Sequence, residues 1–204
     1  LELKLLQDDL ESQVRRRTKQ LEQTQEATII TLATLAEYRD PETGGHIKRT
    51  QNYVKVLAKA LQPHAQFKTY LTDQLIALLH KSAPLHDIGK VGVPDHILLK
   101  PGKLTDEEFV EMKKHTIYGR NSIAAAEKML GDESFLKIAK EIAEFHQEKW
   151  DGSGYPHGLK GEDIPVSARL MAIADVYDAL ISKRVYKPPF THSKAVKIII
   201  EGSG

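Results

Sequence analysis

A histidine and an aspartate stand side by side at His86-Asp87, and Ile88-Gly89-Lys90 puts an amine three residues on. Adjacent side chains on a helix diverge by about 100°, so both can meet one site only at a helix end or between helices. A metal ion fits such a site, because its ligands converge from different directions. An aspartate can bridge two cations, one per oxygen, and an imidazole nitrogen suits Fe, Mn, Ni or Zn. A His-Asp doublet is common by chance, so the company it keeps decides its meaning. The chain holds nine histidines, and His46, His86, His115 and His146 each fall at an expected helix end or beside a glycine or carboxylate. Asp175 lies among Met171, Ala172, Ile173, Ala174 and Val176, where an acid is costly to bury unless a cation holds it. With Asp87, these residues make a nitrogen and oxygen set larger than one ion needs. Its natural product is a pair of ions bridged by Asp87 and a hydroxide.

Each residue has a plainer reading. His115 can be a surface residue on a charged helix, and His146 a helix C-terminal histidine facing the dipole. Asp178, three residues after Asp175, can be a helix-surface acid. His64, His80, His96, His157 and His192 read as solvated or structural.

The elements that must position these groups are helices. Residues 1–27 form a charged stretch without Gly or Pro, in which Leu3, Leu10, Val14, Leu21, Thr28 and Leu35 follow heptad steps broken by Arg17 and Thr24. We read 1–27 as a helical linker able to form a dimeric coiled coil, the alternative being a solitary helix packed on the domain. From Glu26, the residues Ile29, Ile30, Leu32, Leu35 and Ala36 give a face that enters the core, and Asp40-Pro41 ends it. Helices are expected after Glu42–His46 to about Leu61, and from an N-cap at Thr72 up to a kink or end at Pro84. The Thr105-Asp106-Glu107-Glu108 capping box opens one that carries His115 to near Gly131. Three more are expected at about 134–147, at 167–181, and from Thr191 or His192. Between them, residues 150–166 form a loop rich in glycine. No stretch alternates as a strand would. The expectation is an all-α bundle of about seven helices behind a long, coiled-coil-like N-terminal helix.

Composition narrows the class. The 41% hydrophobic content supports a core, and only 6% of residues are aromatic, so that core is aliphatic. A formal charge of +1, from 29 basic and 28 acidic residues, argues against a binder of nucleic-acid polymers. No cysteine is present, which removes disulfides, thiolate nucleophiles and cysteine-ligated zinc. The longest apolar run, Ala27 to Ala36, is too short to span a bilayer. A cytoplasmic setting is expected. So is an origin in a longer chain, because the sequence opens without Met.

Together these motifs resemble the HD-GYP family, the cyclic di-GMP phosphodiesterase branch of the HD hydrolases. The resemblance is carried by Arg39-Asp40-Pro41-Glu42-Thr43-Gly44-Gly45-His46, His86-Asp87-Ile88-Gly89-Lys90, His115, and Glu148-Lys149-Trp150-Asp151-Gly152-Ser153-Gly154-Tyr155-Pro156. It continues through Gly158-Leu159-Lys160-Gly161, Ala174-Asp175-Val176-Tyr177-Asp178-Ala179-Leu180 and Arg184-Val185-Tyr186-Lys187, spanning about 26–204. It implies an HD-type domain over 28–204 with its C-terminal helix missing. It also implies metal ligands at His46, His86, Asp87, His115, His146 and Asp175, with Glu42 added in members that hold three metals. Lys90, Arg184 and Lys187 are the implied phosphate or guanine contacts. The implied reaction is hydrolysis of cyclic di-GMP to pGpG, or on to GMP, with two divalent Fe, Mn, Ni or Zn ions and a bridging hydroxide. Asp87 and Lys90 would serve the chemistry, with Asp178 or Lys90 relaying a proton to the leaving 3′-oxygen. The Gly-Tyr-Pro loop would build a wall of the pocket. An upstream receiver or sensor domain, as in a response regulator, and a homodimer through the N-terminal helix complete the expectation.

The chain departs from the family pattern at His146-Gln147, where two histidines are usual. Glutamine lacks charge and imidazole, so a two-metal site is favoured over three. The same residue sustains a rival of another class, a nucleotide receptor that binds metal but scarcely turns over. A third reading is an HD hydrolase acting on pGpG or another cyclic dinucleotide.

Overall fold

The computed structural model describes residues 2–39, 45–130, 135–182 and 188–202. Among them are nine α-helical segments and no strand: α1 Glu2–Glu37, α2 His46–Leu61, α3 Asp73–Ser82, α4 Asp95–Leu98, α5 Asp106–Lys113, α6 His115–Leu130, α7 Leu136–Phe145, α8 Val166–Ile181 and α9 His192–Glu201. The all-α expectation holds, with α4 a single extra turn. Short 3₁₀ segments cover Ala83–Leu85, Ile88–Gly92 and Gly161–Asp163.

Helix ends follow the local chemistry. Thr72 accepts from the Leu75 N–H, and Thr105 with Glu108 closes a reciprocal capping box. Pro84 lies in the 3₁₀ turn that follows α3, since it cannot supply a helical N–H. Gly45 enters α2 at φ 89°, a left-handed conformation that glycine adopts without strain, and His46 becomes the first helical residue. One expected boundary is corrected. The helix opened by the capping box does not run on through His115. It stops at Lys113, and His115 begins α6. The α1 helix runs unbroken through residue 27 to Glu37, and its buried residues are Ile29, Ala33 and Ala36.

Among the described residues are three apolar clusters, of which Val93, Ile97 and Leu98 form the smallest. One joins Val54 and Ala58 of α2, Ile76 and Leu79 of α3, Ile142 of α7, and Leu170, Met171 and Ala174 of α8. Another joins Ile29 of α1, Leu85, Ile123 of α6, and Leu136, Ala139 and Ala143 of α7. Leu79 is fully buried, and truncating such a residue to Ala costs about 2–5 kcal/mol. The chain between α3 and α4 runs between the two larger clusters with His86 and Asp87 on it.

Candidate metal centre

Four helix ends deliver four imidazoles to one point. His46 opens α2, His115 opens α6, His146 caps the C-terminus of α7, and His86 caps the 3₁₀ turn at Ala83–Leu85. Asp87 has left helical geometry (φ −103°, ψ 10°), which lets its side chain converge with that of His86. Asp175 enters from within α8. All four histidines are buried.

Their ligand atoms form two groups, His46–His86–Asp175 and Asp87–His115–His146. In the first, Nε2 of His46 lies 3.4 Å from Nε2 of His86 and 3.6 Å from Oδ1 of Asp175. In the second, Oδ1 of Asp87 lies 3.4 Å from Nε2 of both His115 and His146. The other oxygen of Asp87 is 3.3 Å from Nε2 of His86, so this carboxylate reaches across both groups. Ligands bound at about 2.1 Å around a tetrahedral ion stand about 3.4 Å apart, and these separations match that edge.

The backbone fixes which nitrogen faces the site. Nδ1–H of His86 donates to the Ala83 carbonyl at 3.0 Å, that of His115 to Met112 at 2.8 Å, and that of His146 to Ile142 and Ala143 at 3.1 Å. Such bonds hold the tautomer whose Nε2 lone pair points inward. Oδ1 of Asp87 and Nε2 of His115 and of His146 are buried and make no hydrogen bond. Three polar atoms left so would cost about 1–3 kcal/mol each, and a shared cation would satisfy all three. The residues therefore fit divalent metal ions.

Electrostatics agree. Burial would raise the carboxyl of Asp87, but Lys90, His86 and His146 outweigh it and hold it well below its usual range. Burial opposes a charge on His86, yet Asp87 beside it and Asp175 push it up to about 9. For His115 burial wins over the attraction of Asp87, and its imidazole falls to about 4. Lys90 stands 2.8 Å from Oδ2 of Asp87.

Asp178, expected as a proton relay, is engaged through both oxygens. Its two oxygens accept from Arg49 Nε at 2.6 Å, Arg49 Nη2 at 2.9 Å and His46 Nδ1 at 2.9 Å. Burial opposes its ionisation, but these bonds outweigh that and bring it down to about 2, so it holds no proton near neutrality. It orients His46. Arg49 is a site residue that the sequence reading missed, and its one signal was its place three residues after His46 on α2. Glu148 was missed as well. It is buried, and its carboxylate accepts from the N–H groups of His157 (2.7 Å) and Leu159 (2.9 Å), which ties down the glycine-rich loop. Within that loop Tyr155 meets His115 edge-on, with ring centroids 6.1 Å apart, and Phe109 lies beyond it. Gln147 is half-buried next to His146, and its carbonyl accepts from the Tyr155 N–H. Glu42, Arg184 and Lys187 lie outside the described residues.

The HD domain family matches residues 30–204. A cyclic di-GMP phosphodiesterase of Vibrio cholerae is 64% identical over 181 residues, which are 89% of this chain and 37% of that protein. A 3'3'-cGAMP-specific phosphodiesterase 2 of the same organism is 43% identical over 171 residues, covering 84% of this chain and 30% of that one. Among solved structures, Bd1817, an HDG"Y"P protein from Bdellovibrio bacteriovorus, aligns with a TM-score of 0.52 at 27% identity, covering 77% of this chain and 48% of that one. The chain spans less than half the length of each of these relatives.

Proposed function

The chain belongs to the HD domain family, and from that premise we propose that it is a metal-dependent phosphodiesterase hydrolysing cyclic di-GMP to pGpG. The observation that carries this reading is the Asp87 carboxylate, which reaches one histidine-rich group with each oxygen. His46, His86 and Asp175 would hold one ion, His115 and His146 the other, and Asp87 both. Two divalent ions held there supply Lewis-acid neutralisation of the phosphodiester and an acidified water. Lys90, at the rim beside Asp87, places an ammonium where charge develops on the phosphoryl oxygens. It is also the group positioned to hand a proton to the leaving oxygen, since Asp178 is ionised. Asp178 and Arg49 keep the His46 ring in register. Tyr155 walls the site, and burial, followed by the charge of Asp87, raises its phenol, so it remains protonated.

Elemental analysis of metal-loaded protein, with turnover of cyclic di-GMP, 3'3'-cGAMP and pGpG measured side by side, tests the proposal. Two ions per chain and preferred cleavage of cyclic di-GMP support it. Full loading with nucleotide bound but uncleaved would instead favour a receptor, and preferred cleavage of another substrate would reassign the enzyme. Arg184, Lys187 and Glu42 retain their proposed roles as nucleotide contacts and optional third-metal ligand. With Gln147 in place of a second histidine, two ions are proposed rather than three.

We further propose that α1 pairs with a second copy and connects to an upstream receiver or sensor domain. Leu3, Leu10, Val14, Leu21 and Leu35 share the heptad seam and are each more than half exposed. About a quarter-turn round the helix, Ile29, Ala33 and Ala36 are buried in the domain. Sedimentation should give a dimer that Leu21→Glu dissociates. No described helix is long and apolar enough to cross a membrane, and a cytoplasmic enzyme is proposed.

A further inference from the structure

Arg39 follows α1 by two residues, and its guanidinium reaches across to the chain that leaves the metal site. It donates to the carbonyls of Val91 and Val93 (3.2 Å for Val93) and pairs with the carboxylate of Asp95. These acceptors lie just after Lys90, at the end of the Ile88–Gly92 turn and the start of α4. The same turn is closed by the Lys90 N–H donating to Asp87 O at 2.9 Å and the Val93 N–H donating to Lys90 O at 3.1 Å. On its other side Gly89 lies directly against the backbone of α6 at His115 and Gly119. The turn that carries Lys90 is thus held between α6 and one arginine from the amino-terminal helix. Arginine suits this position because its planar fork serves three acceptors spread along one strand of chain, whereas an ammonium presents a point charge.

We propose that Arg39 is a positioning residue through which α1 sets the placement of Lys90 beside Asp87. The exposed seam of α1 reaches Leu35, more than half exposed, and exposed Tyr38 follows the helix just before this clamp. A force on α1 therefore arrives at the segment that bears Lys90. The catalytic consequence rests on the proposed phosphodiesterase activity, and the geometric one does not.

Arg39→Ala and Arg39→Lys test it in the full chain. Amide hydrogen exchange at Lys90 and Val93 should quicken tenfold or more in Arg39→Ala, with exchange in α8 unchanged. Turnover of cyclic di-GMP should fall about tenfold or more in both variants, with KM within twofold and two ions per chain retained. Lysine should not rescue, because it cannot fork. A purely structural role would lower thermal stability and metal content together and leave kcat per loaded site unchanged, which would overturn the proposal. Unchanged exchange at Lys90 and Val93 would also overturn it. Should the chain cleave no cyclic dinucleotide at all, the exchange result alone decides for or against the clamp.

Discussion

Oδ2 of Asp87 lies 3.3 Å from Nε2 of His86, its neighbour in the chain, and Oδ1 lies 3.4 Å from Nε2 of His146, almost sixty residues away. One carboxylate thus belongs to one ligand group and reaches a histidine of the other. Asp87→Ala should abolish metal loading and activity together, because each proposed ion would lose a ligand. Asp87→Asn, with one oxygen left, should keep at most one ion. Elemental analysis beside turnover checks both, and an active Asp87→Ala with two ions would remove the bridging role.

Lys90→Ala should separate binding from chemistry. The ammonium contacts Asp87 but is not a ligand, so the ions should remain while kcat falls about 100-fold, the scale of losing one charge-stabilising donor. KM should move little, since that interaction strengthens only as charge develops. Steady-state kinetics on metal-saturated protein decides it, and unchanged kcat would take Lys90 out of the reaction.

Asp178→Asn should weaken metal binding about 10–100-fold, the usual cost of losing a carboxylate behind a ligating histidine. It should also alter acid stability. The folded carboxyl sits at about 2 against an ordinary 3.8, so its contribution is present above pH 3.8 and is lost as pH falls through 2. Acid titration of unfolding should therefore show a steeper loss between those values in the native chain than in the variant.

Much of this was legible in the amino-acid sequence. Periodicity and caps placed most helices, because Thr72 and Thr105 advertise their ends through side-chain acceptors. Ligand types at helix termini marked the four histidines. Arg49 escaped because its partner Asp178 is 129 positions away, and no local pattern announces a buried ion pair between helices. The break between α5 and α6 escaped for another reason. Lys114-His115-Thr116 holds neither Pro nor Gly, so tertiary packing, not propensity, turns the chain there. The pairing of Asp178 with Arg49 was hidden by their separation of 129 positions.

Metal uptake should release protons in a predictable way. His86 is held up at about 9, so in metal-free protein its charge adds stability that is full below pH 6.5 and is lost as pH rises through 9. A metal needs the neutral ring, so binding near pH 7 should displace about one proton from His86. His115, at about 4, is already neutral and should release none. Calorimetric titration of Mn in buffers of different protonation enthalpy measures this. Release of a proton from His86 should fade above pH 9, and its persistence there would assign the proton to another group.

Gly89→Ala should damage one ligand group more than the other. A methyl group there would stand 1.9 Å from the His115 carbonyl oxygen and 2.4 Å from the Gly119 nitrogen. Both are backbone atoms, so no rotamer change relieves the clash, and α6 itself must shift. His115 is the first residue of α6 and would be carried away from Asp87 and His146. The cost in stability should be about 3 kcal/mol or more, and the metal count should fall from two to one, with the His46–His86–Asp175 group retained. Gly119→Ala, where the nearest atom is 3.3 Å away, should be milder and keep both ions. A Gly89→Ala chain of unaltered stability holding two ions would mean that α6 is not seated on residue 89, and the placement of His115 would have to be redrawn.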